Sequence, residues 1–390
     1  MAEIPGGGGP SRPAAMLTTA VEWISGPTGG VVAAVLGGGC GWLLSSAVGA
    51  WFRYTDEAPV GRRTQAIVAI AMGVAALGLW WWEIMCAGLV TARLASSVSA
   101  TSQIDLAVRA FAHLIVVWLL AAATWIDFRQ RVIPDWITLP GVLAGLAAVW
   151  TYPRILLPVT VEVPRSFAAP AMQADVLAWY GGLATGTGGA FAAAPHVAGL
   201  GVAAAIFAAW WVVCTEPPPE DRARWLAPRN ILLAVGLGAL TAAWWHGTER
   251  FDALQTALVG LAVSGGLVWA TRAGASHALG KEAMGLGDVT LMAMVGAWLG
   301  WQACVLTFFL AAFIGLGHGV VQMLRHRENE LPFGPSLCLA AAVVVVGWRP
   351  LWQATAVHFE QPGQLSLVVA AVVVLTAVTL WVWQFFRDRG

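Results

Sequence analysis

Eleven uncharged or nearly uncharged apolar runs punctuate this sequence, at 29–51, 66–91, 106–126, 136–152, 198–214, 230–246, 253–272, 288–302, 303–323, 333–350 and 364–386. Each approaches the roughly 17–25 residues that a helix needs to cross a bilayer. Some are short or glycine-rich, and 288–323 can be divided at more than one point, so the count lies between nine and thirteen. Lipid offers no hydrogen bonds to a backbone, and a segment that crosses it must close its own N–H and C=O groups as a helix. The expected fold is therefore all-α: a polytopic transmembrane helical bundle of about eleven spans. Composition agrees, since charged residues make up 11% of the chain against about 25% in soluble domains. A formal net charge of zero argues against a nucleic-acid partner. The 23 tryptophans include Trp80–Trp82, Trp210–Trp211 and Trp244–Trp245 at the ends of runs, where indole rings settle at the lipid headgroup level. Membrane lipid is thus an expected partner.

The basic residues orient the spans. If the first run passes from outside to inside, alternate connections place Arg53, Arg62, Arg63, Arg129, Arg131, Arg222, Arg224, Arg229, Arg272, Lys281, Arg325, Arg327, Arg387 and Arg389 on the cytoplasmic side, 14 of 21. That excess is the bias that sets topology. Under this assignment Asp127 closes an inward-going span and Asp288 opens an outward-going one, so both acids reach the cytoplasmic face.

A carboxylate entering hydrocarbon costs roughly 2.5–3.5 kcal/mol at mid-membrane, less near an end. It persists where it has a task or a partner. Asp288 stands at the mouth of the 289–304 run, behind Gly285 and Gly287, which lack Cβ atoms and allow close approach of a backbone. Asp127 stands at the end of the 111–126 run. Pro134 restarts the next helix where its missing N–H is harmless, and Asp135 beside it suits the positive end of the helix dipole. Leu331-Pro332-Phe333-Gly334-Pro335 opens a later span, either as a plain entry turn or as exposed backbone able to pair with an extended peptide. Arg129 and Arg131 read as topology determinants, and Lys281 and Glu282 as solvated loop charges. His113, His246 and His318 share no spacing and read as structural. Cys40, Cys86, Cys214, Cys304 and Cys338 have no metal-like spacing and read as buried free thiols.

Three motifs, Ile126-Asp127 through Ile133-Pro134-Asp135, Gly285-Leu286-Gly287-Asp288 with Gly296-Ala297-Trp298-Leu299-Gly300-Trp301, and Leu331-Pro332-Phe333-Gly334-Pro335-Ser336, occur in an order that resembles the type IV prepilin peptidases, membrane aspartic proteases of the GxGD type. The resemblance covers 125–150 and 280–345. It implies that Asp127 and Asp288 are a catalytic pair, and that Gly285, Gly287, Pro134, Asp135, Pro332, Gly334 and Pro335 bind substrate or support the motifs. It further implies cleavage of the leader from pilin-like or pseudopilin precursors, at the cytoplasmic face of a bacterial inner membrane, without metal or cofactor. The two acids lie 161 positions apart, longer than is usual in the family, and an insertion is expected around 153–229. The expected organisation is a disordered tail over 1–25, N-terminal membrane helices over 26–104 and a peptidase-like domain over 105–390. The cysteine-containing methyltransferase domain of many bacterial members has no counterpart in 51–64, so N-methyltransferase activity is not expected.

Two carboxyl groups suffice for peptide hydrolysis if one is ionised, to deprotonate water, and one protonated, to polarise the scissile carbonyl. Paired intramembrane acids also suit a proton-coupled transporter, and a relative that kept only the fold could serve as a scaffold in secretion or pilus assembly.

Overall fold

The computed structural model describes residues 23–89, 100–157, 197–215, 228–246, 248–280, 282, 284–326, 333–359 and 370. Residues 1–22 of the expected tail, 158–196 and 216–227 of the expected insertion, and all but one residue of the 364–386 run lie outside the described residues. The described chain is helical without strands: α1 (Pro27–Tyr54), α2 (Arg62–Trp80) with a π-helical turn (Trp81–Met85), α3 (Ala100–Gln130), α4 (Asp135–Thr151), α5 (Val197–Cys214), α6 (Pro228–His246), α7 (Thr248–Leu279), α8 (Leu286–Leu299), α9 (Trp301–His326) and α10 (Gly334–Phe359). These correspond to the first ten apolar runs. Among the described residues, five helical segments are long and apolar enough to cross a membrane, namely Pro27–Tyr54, Arg62–Met85, Ile104–Gln130, Arg250–Ala278 and Gly334–Thr355. Asp135–Thr151, Gly199–Cys214, Leu286–Leu299 and Trp301–Gly317 are shorter apolar helices. The 288–323 stretch divides at Gly300, whose φ of 83° ends α8 with its N–H on the Gly296 carbonyl at 3.0 Å. Glycine enters that left-handed region without steric cost.

Two compact units make up the chain, with the boundary after Trp118, inside α3. In the first, α1 and α2 pack as a hairpin. Lipid tails are as apolar as leucine, so helices associate in a membrane through close packing and hydrogen bonds rather than through hydrophobic burial. Small residues provide that closeness here. A Cβ on Gly41 would sit 2.8 Å from Met72 Cβ, one on Gly73 would sit 3.0 Å from the Ala34 carbonyl oxygen, and one on Gly37 would collide with Ala76. Val31, Val35, Leu43, Ile67, Ile70 and Val74 face outward, as lipid-exposed positions should.

In the second unit α8 is the buried centre. Every residue from Asp288 to Leu299 is buried. Its main neighbours are α7 and α4, with α9 and α10 alongside. Gly260 of α7 and Gly296 of α8 let the two backbones touch, and a Cβ on either would strike the other's carbonyl. The Ser264 hydroxyl donates to the Gly260 carbonyl at 2.6 Å and lies 2.8 Å from the Met292 carbonyl across the same contact. On the other side, α4 offers Gly141 and Gly145 to Met294 and Trp298. The Trp298 indole N–H donates to the Gly141 carbonyl at 2.8 Å.

All five cysteines are free. Cys304 and Cys338 are buried as expected, but Cys86 is exposed and Cys40 and Cys214 are half-buried. Those three stand near helix ends or on outward faces, where an apolar sequence neighbourhood reflects lipid rather than protein packing. His246 is exposed, the His318 side chain lies outside the described residues, and His113 pairs with Glu83 at 2.7 Å.

Candidate active site

Asp127 lies near the end of α3 and is 5% exposed; Asp288, the third residue of α8, is 8% exposed. Local backbone geometry sets both. After Asp127, helix α3 closes with Arg131 in the left-handed region, φ 54°, its N–H on the Asp127 carbonyl at 2.9 Å. That reversal turns Ile133 back into the protein, 5% exposed, and Pro134, in extended conformation, caps the start of α4. At α8 the N-cap is Gly285, with φ −68° and ψ 153°. The Asp288 carboxylate accepts a hydrogen bond from the Gly285 backbone N–H, the return half of a capping box.

Ile133 brings the three motifs together. A Cβ on Gly287 would sit 3.0 Å from Ile133 Cβ and 3.1 Å from its carbonyl oxygen. A Cβ on Gly334, the first residue of α10, would sit 3.0 Å from Ile133 Cδ1 and would collide with the Asp127 carboxylate. The starts of α8 and α10 therefore close on the end of α3 around one isoleucine, and the carboxyl groups of Asp127 and Asp288 lie close enough to interact electrostatically. Cys338, one turn into α10, lies near both acids and is hydrogen-bonded with Thr124 of α3.

The remaining sequence candidates divide between this cluster and its edge. Pro134 and Pro335 are buried, Gly285 and Asp135 are exposed, and Pro332 lies outside the described residues. Asp135 is the first residue of α4, directly after the Pro134 N-cap. Arg129 and Arg131 are exposed at the end of α3. Glu282 is exposed, as expected, but it is not merely solvated. Arg272 of α7 ion-pairs with it at 3.0 Å and donates from Nε to the Met284 carbonyl at 2.8 Å, pinning the segment that leads into Gly285. Arg272, Thr124, Cys338 and the packing role of Ile133 carry no signal in the sequence, because each acts on a residue brought near only by the fold. Chemically, the cluster is a pair of nearly buried carboxyl groups beside exposed, extended backbone at Gly285, suited to activating one water against one carbonyl.

Residues 222–320 match the model of the type IV leader peptidase family, the family that the three motifs resemble. The match contains Asp288 but not Asp127. The chain is 32% identical over 152 residues to a prepilin leader peptidase/N-methyltransferase of Aeromonas hydrophila, covering 38% of this chain and 50% of the relative. It is 46% identical over 71 residues to one of Pseudomonas aeruginosa, covering 17% and 24%. It is 42% identical over 104 residues to the leader peptidase HopD of Escherichia coli, covering 26% and 63%. The chain thus spans about half the length of the first of these relatives. No solved structure matches it.

Proposed function

We propose that this chain is a membrane aspartic endopeptidase that removes the leader from pilin-like precursors, with Asp127 and Asp288 as its catalytic pair. The observation that carries the reading is the meeting of two nearly buried carboxyl groups, 161 positions apart in sequence, where three helix ends close around Ile133. The match to the leader peptidase family and the similarity to named prepilin leader peptidases support the substrate class.

Two unit charges about 4 Å apart repel by roughly 4 kcal/mol at an effective dielectric near 20. The pair therefore holds one proton, and it titrates as a unit. The ionised member takes a proton from water as that water attacks the scissile carbonyl. The protonated member donates to the carbonyl oxygen, and the proton held by the base passes to the departing amine. The exposed, extended backbone at Gly285 would pair with the precursor in strand fashion. Anchoring enzyme and precursor in one membrane fixes the depth of the scissile bond and raises local concentration. Arg129, Arg131 and Arg272 near the two acids favour a cytoplasmic-facing site by the positive-inside rule. N-methyl transfer forms no part of the proposed activity.

Co-expression with a pilin-like precursor, followed by mass spectrometry of its N-terminus, tests the reading. The expected product lacks the leader and carries no methyl group. A precursor that stays full length while the protein is present in the membrane overturns the peptidase reading, and a flux assay then tests transport.

A further inference from the structure

Arg272 stands about two turns before the end of α7, in the long apolar segment Arg250–Ala278. A guanidinium in such a segment is expensive and persists where it has a task or a partner. Two partners are in place. Its Nη2 lies 3.0 Å from Glu282 Oε1, and its Nε–H donates to the Met284 carbonyl at 2.8 Å. The two bonds differ in weight. The Glu282 side chain is 83% exposed, so water screens that pair and it holds the chain weakly. The Arg272 side chain is 23% exposed, and its bond to the carbonyl is charge-assisted, roughly twice as strong as a neutral one. The carbonyl bond is therefore the one that fixes the chain.

The Met284 carbonyl and the Gly285 N–H are opposite edges of one peptide group, planar and trans. Gly285 is the N-cap of α8, and its N–H is the donor that the Asp288 carboxylate accepts. Arg272 thus grips one edge of a plane whose other edge holds Asp288. Any rotation of the plane moves both bonds, and a cation on the oxygen polarises the peptide and strengthens its N–H as a donor. Local sequence does not hold this plane. Gly280, with φ 62°, and Gly285 bracket the connection, and glycine restrains a backbone least of all residues. We infer that Arg272 is a positioning residue for Asp288, acting through the Met284–Gly285 peptide. It fixes which way the Asp288 carboxyl group faces, by holding the donor that occupies one carboxyl oxygen and leaving the other for proton transfer. The catalytic consequence rests on the peptidase reading; the link through the peptide does not.

Two measurements on the full-length protein in lipid nanodiscs test this. In the first, methionine carries carbon-13 at its carbonyl and glycine carries nitrogen-15. Only the two Met–Gly peptides, 72–73 and 284–285, then give a coupled amide signal in NMR, and Met72→Leu removes the first and so identifies the second. Asp288→Asn and Arg272→Met should each shift the Gly285 amide proton upfield, and Arg272→Gln should shift it less. The glutamine amide nitrogen lies as many bonds from Cα as Nε does, so it keeps a neutral donor for the same carbonyl. In the second, leader removal should fall about 10–100-fold in Arg272→Met and recover most of that loss in Arg272→Gln. A residue that only tied α7 to the following loop through Glu282 would lose that ion pair in both variants and show no recovery. An unmoved Gly285 amide in Arg272→Met, cleavage by that variant within about twofold of the unsubstituted protein, or equal loss in the two variants overturns the inference. If Arg272→Met does not reach the membrane, the Gly285 signal of Arg272→Gln decides in its place, and an unmoved signal overturns. An unsubstituted protein that leaves the precursor intact refutes the peptidase reading, and the amide signal, which needs no precursor, then decides this one.

Discussion

Gly334→Ala isolates the geometry on which the proposed chemistry depends. Gly334 is buried at the first position of α10, where alanine is acceptable to the helix, so the substitution acts through volume alone. Its new methyl would collide with the Asp127 carboxylate on one side and meet Ile133 Cδ1 at 3.0 Å on the other. Ile133 is itself pressed against Gly287 and cannot retreat. The strain must be relieved by moving the carboxylate or the start of α10, by about 1 Å. A displacement of that size at a reacting group costs on the order of 10²-fold in rate, about 2.7 kcal/mol in activation free energy. Overpacking costs about 1–3 kcal/mol of stability, which thermal unfolding in detergent reports separately. The assay is the time course of leader removal by the purified protein, read by mass spectrometry, with Gly317→Ala as control, since nothing lies within 4 Å of a Cβ there. Cleavage by Gly334→Ala within about twofold of the unsubstituted protein would show that the Asp127 carboxylate is not the reacting group in this packed position.

Asp127→Asn and Asp288→Asn each keep side-chain shape and remove ionisation. Each should lower leader removal by roughly 10²–10⁴-fold with normal membrane levels on immunoblots, and retained cleavage in either removes that residue from the pair. Gly296→Ala drives a methyl into the Gly260 carbonyl and Ser264 and should lower the melting temperature by the equivalent of about 1–3 kcal/mol or more. Gly266→Ala on α7, where nothing lies within 4 Å, should be neutral or stabilising by up to about 1 kcal/mol. Trp298→Phe removes the 2.8 Å indole donor from the Gly141 carbonyl, which keeps its bond within α4, and should cost about 0.5–1.5 kcal/mol, measured by the same unfolding curves.

The helices themselves were readable along the chain. Lipid compels any long apolar run to close its backbone hydrogen bonds within itself, so ten runs and ten helices coincide with no knowledge of partners. Asp127 and Asp288 were readable as candidates for a related reason, the expense of a carboxylate in apolar surroundings, and the order of the motifs around them resembles that of one family. Partnership is another matter. Ile133 is an ordinary aliphatic residue until the starts of α8 and α10 close upon it, and Arg272 is one basic residue among 21 until α7 delivers it to the Met284 carbonyl. His113 reads as a structural histidine because Glu83, thirty positions away, looks in sequence like any acid near the end of a run. Hydropathy and helical period are local properties, carried by each segment alone. Which side chains share a proton, a carbonyl or a contact is settled only when the glycine-lined helices dock, because only then do residues remote in sequence come within the few ångströms over which those forces act.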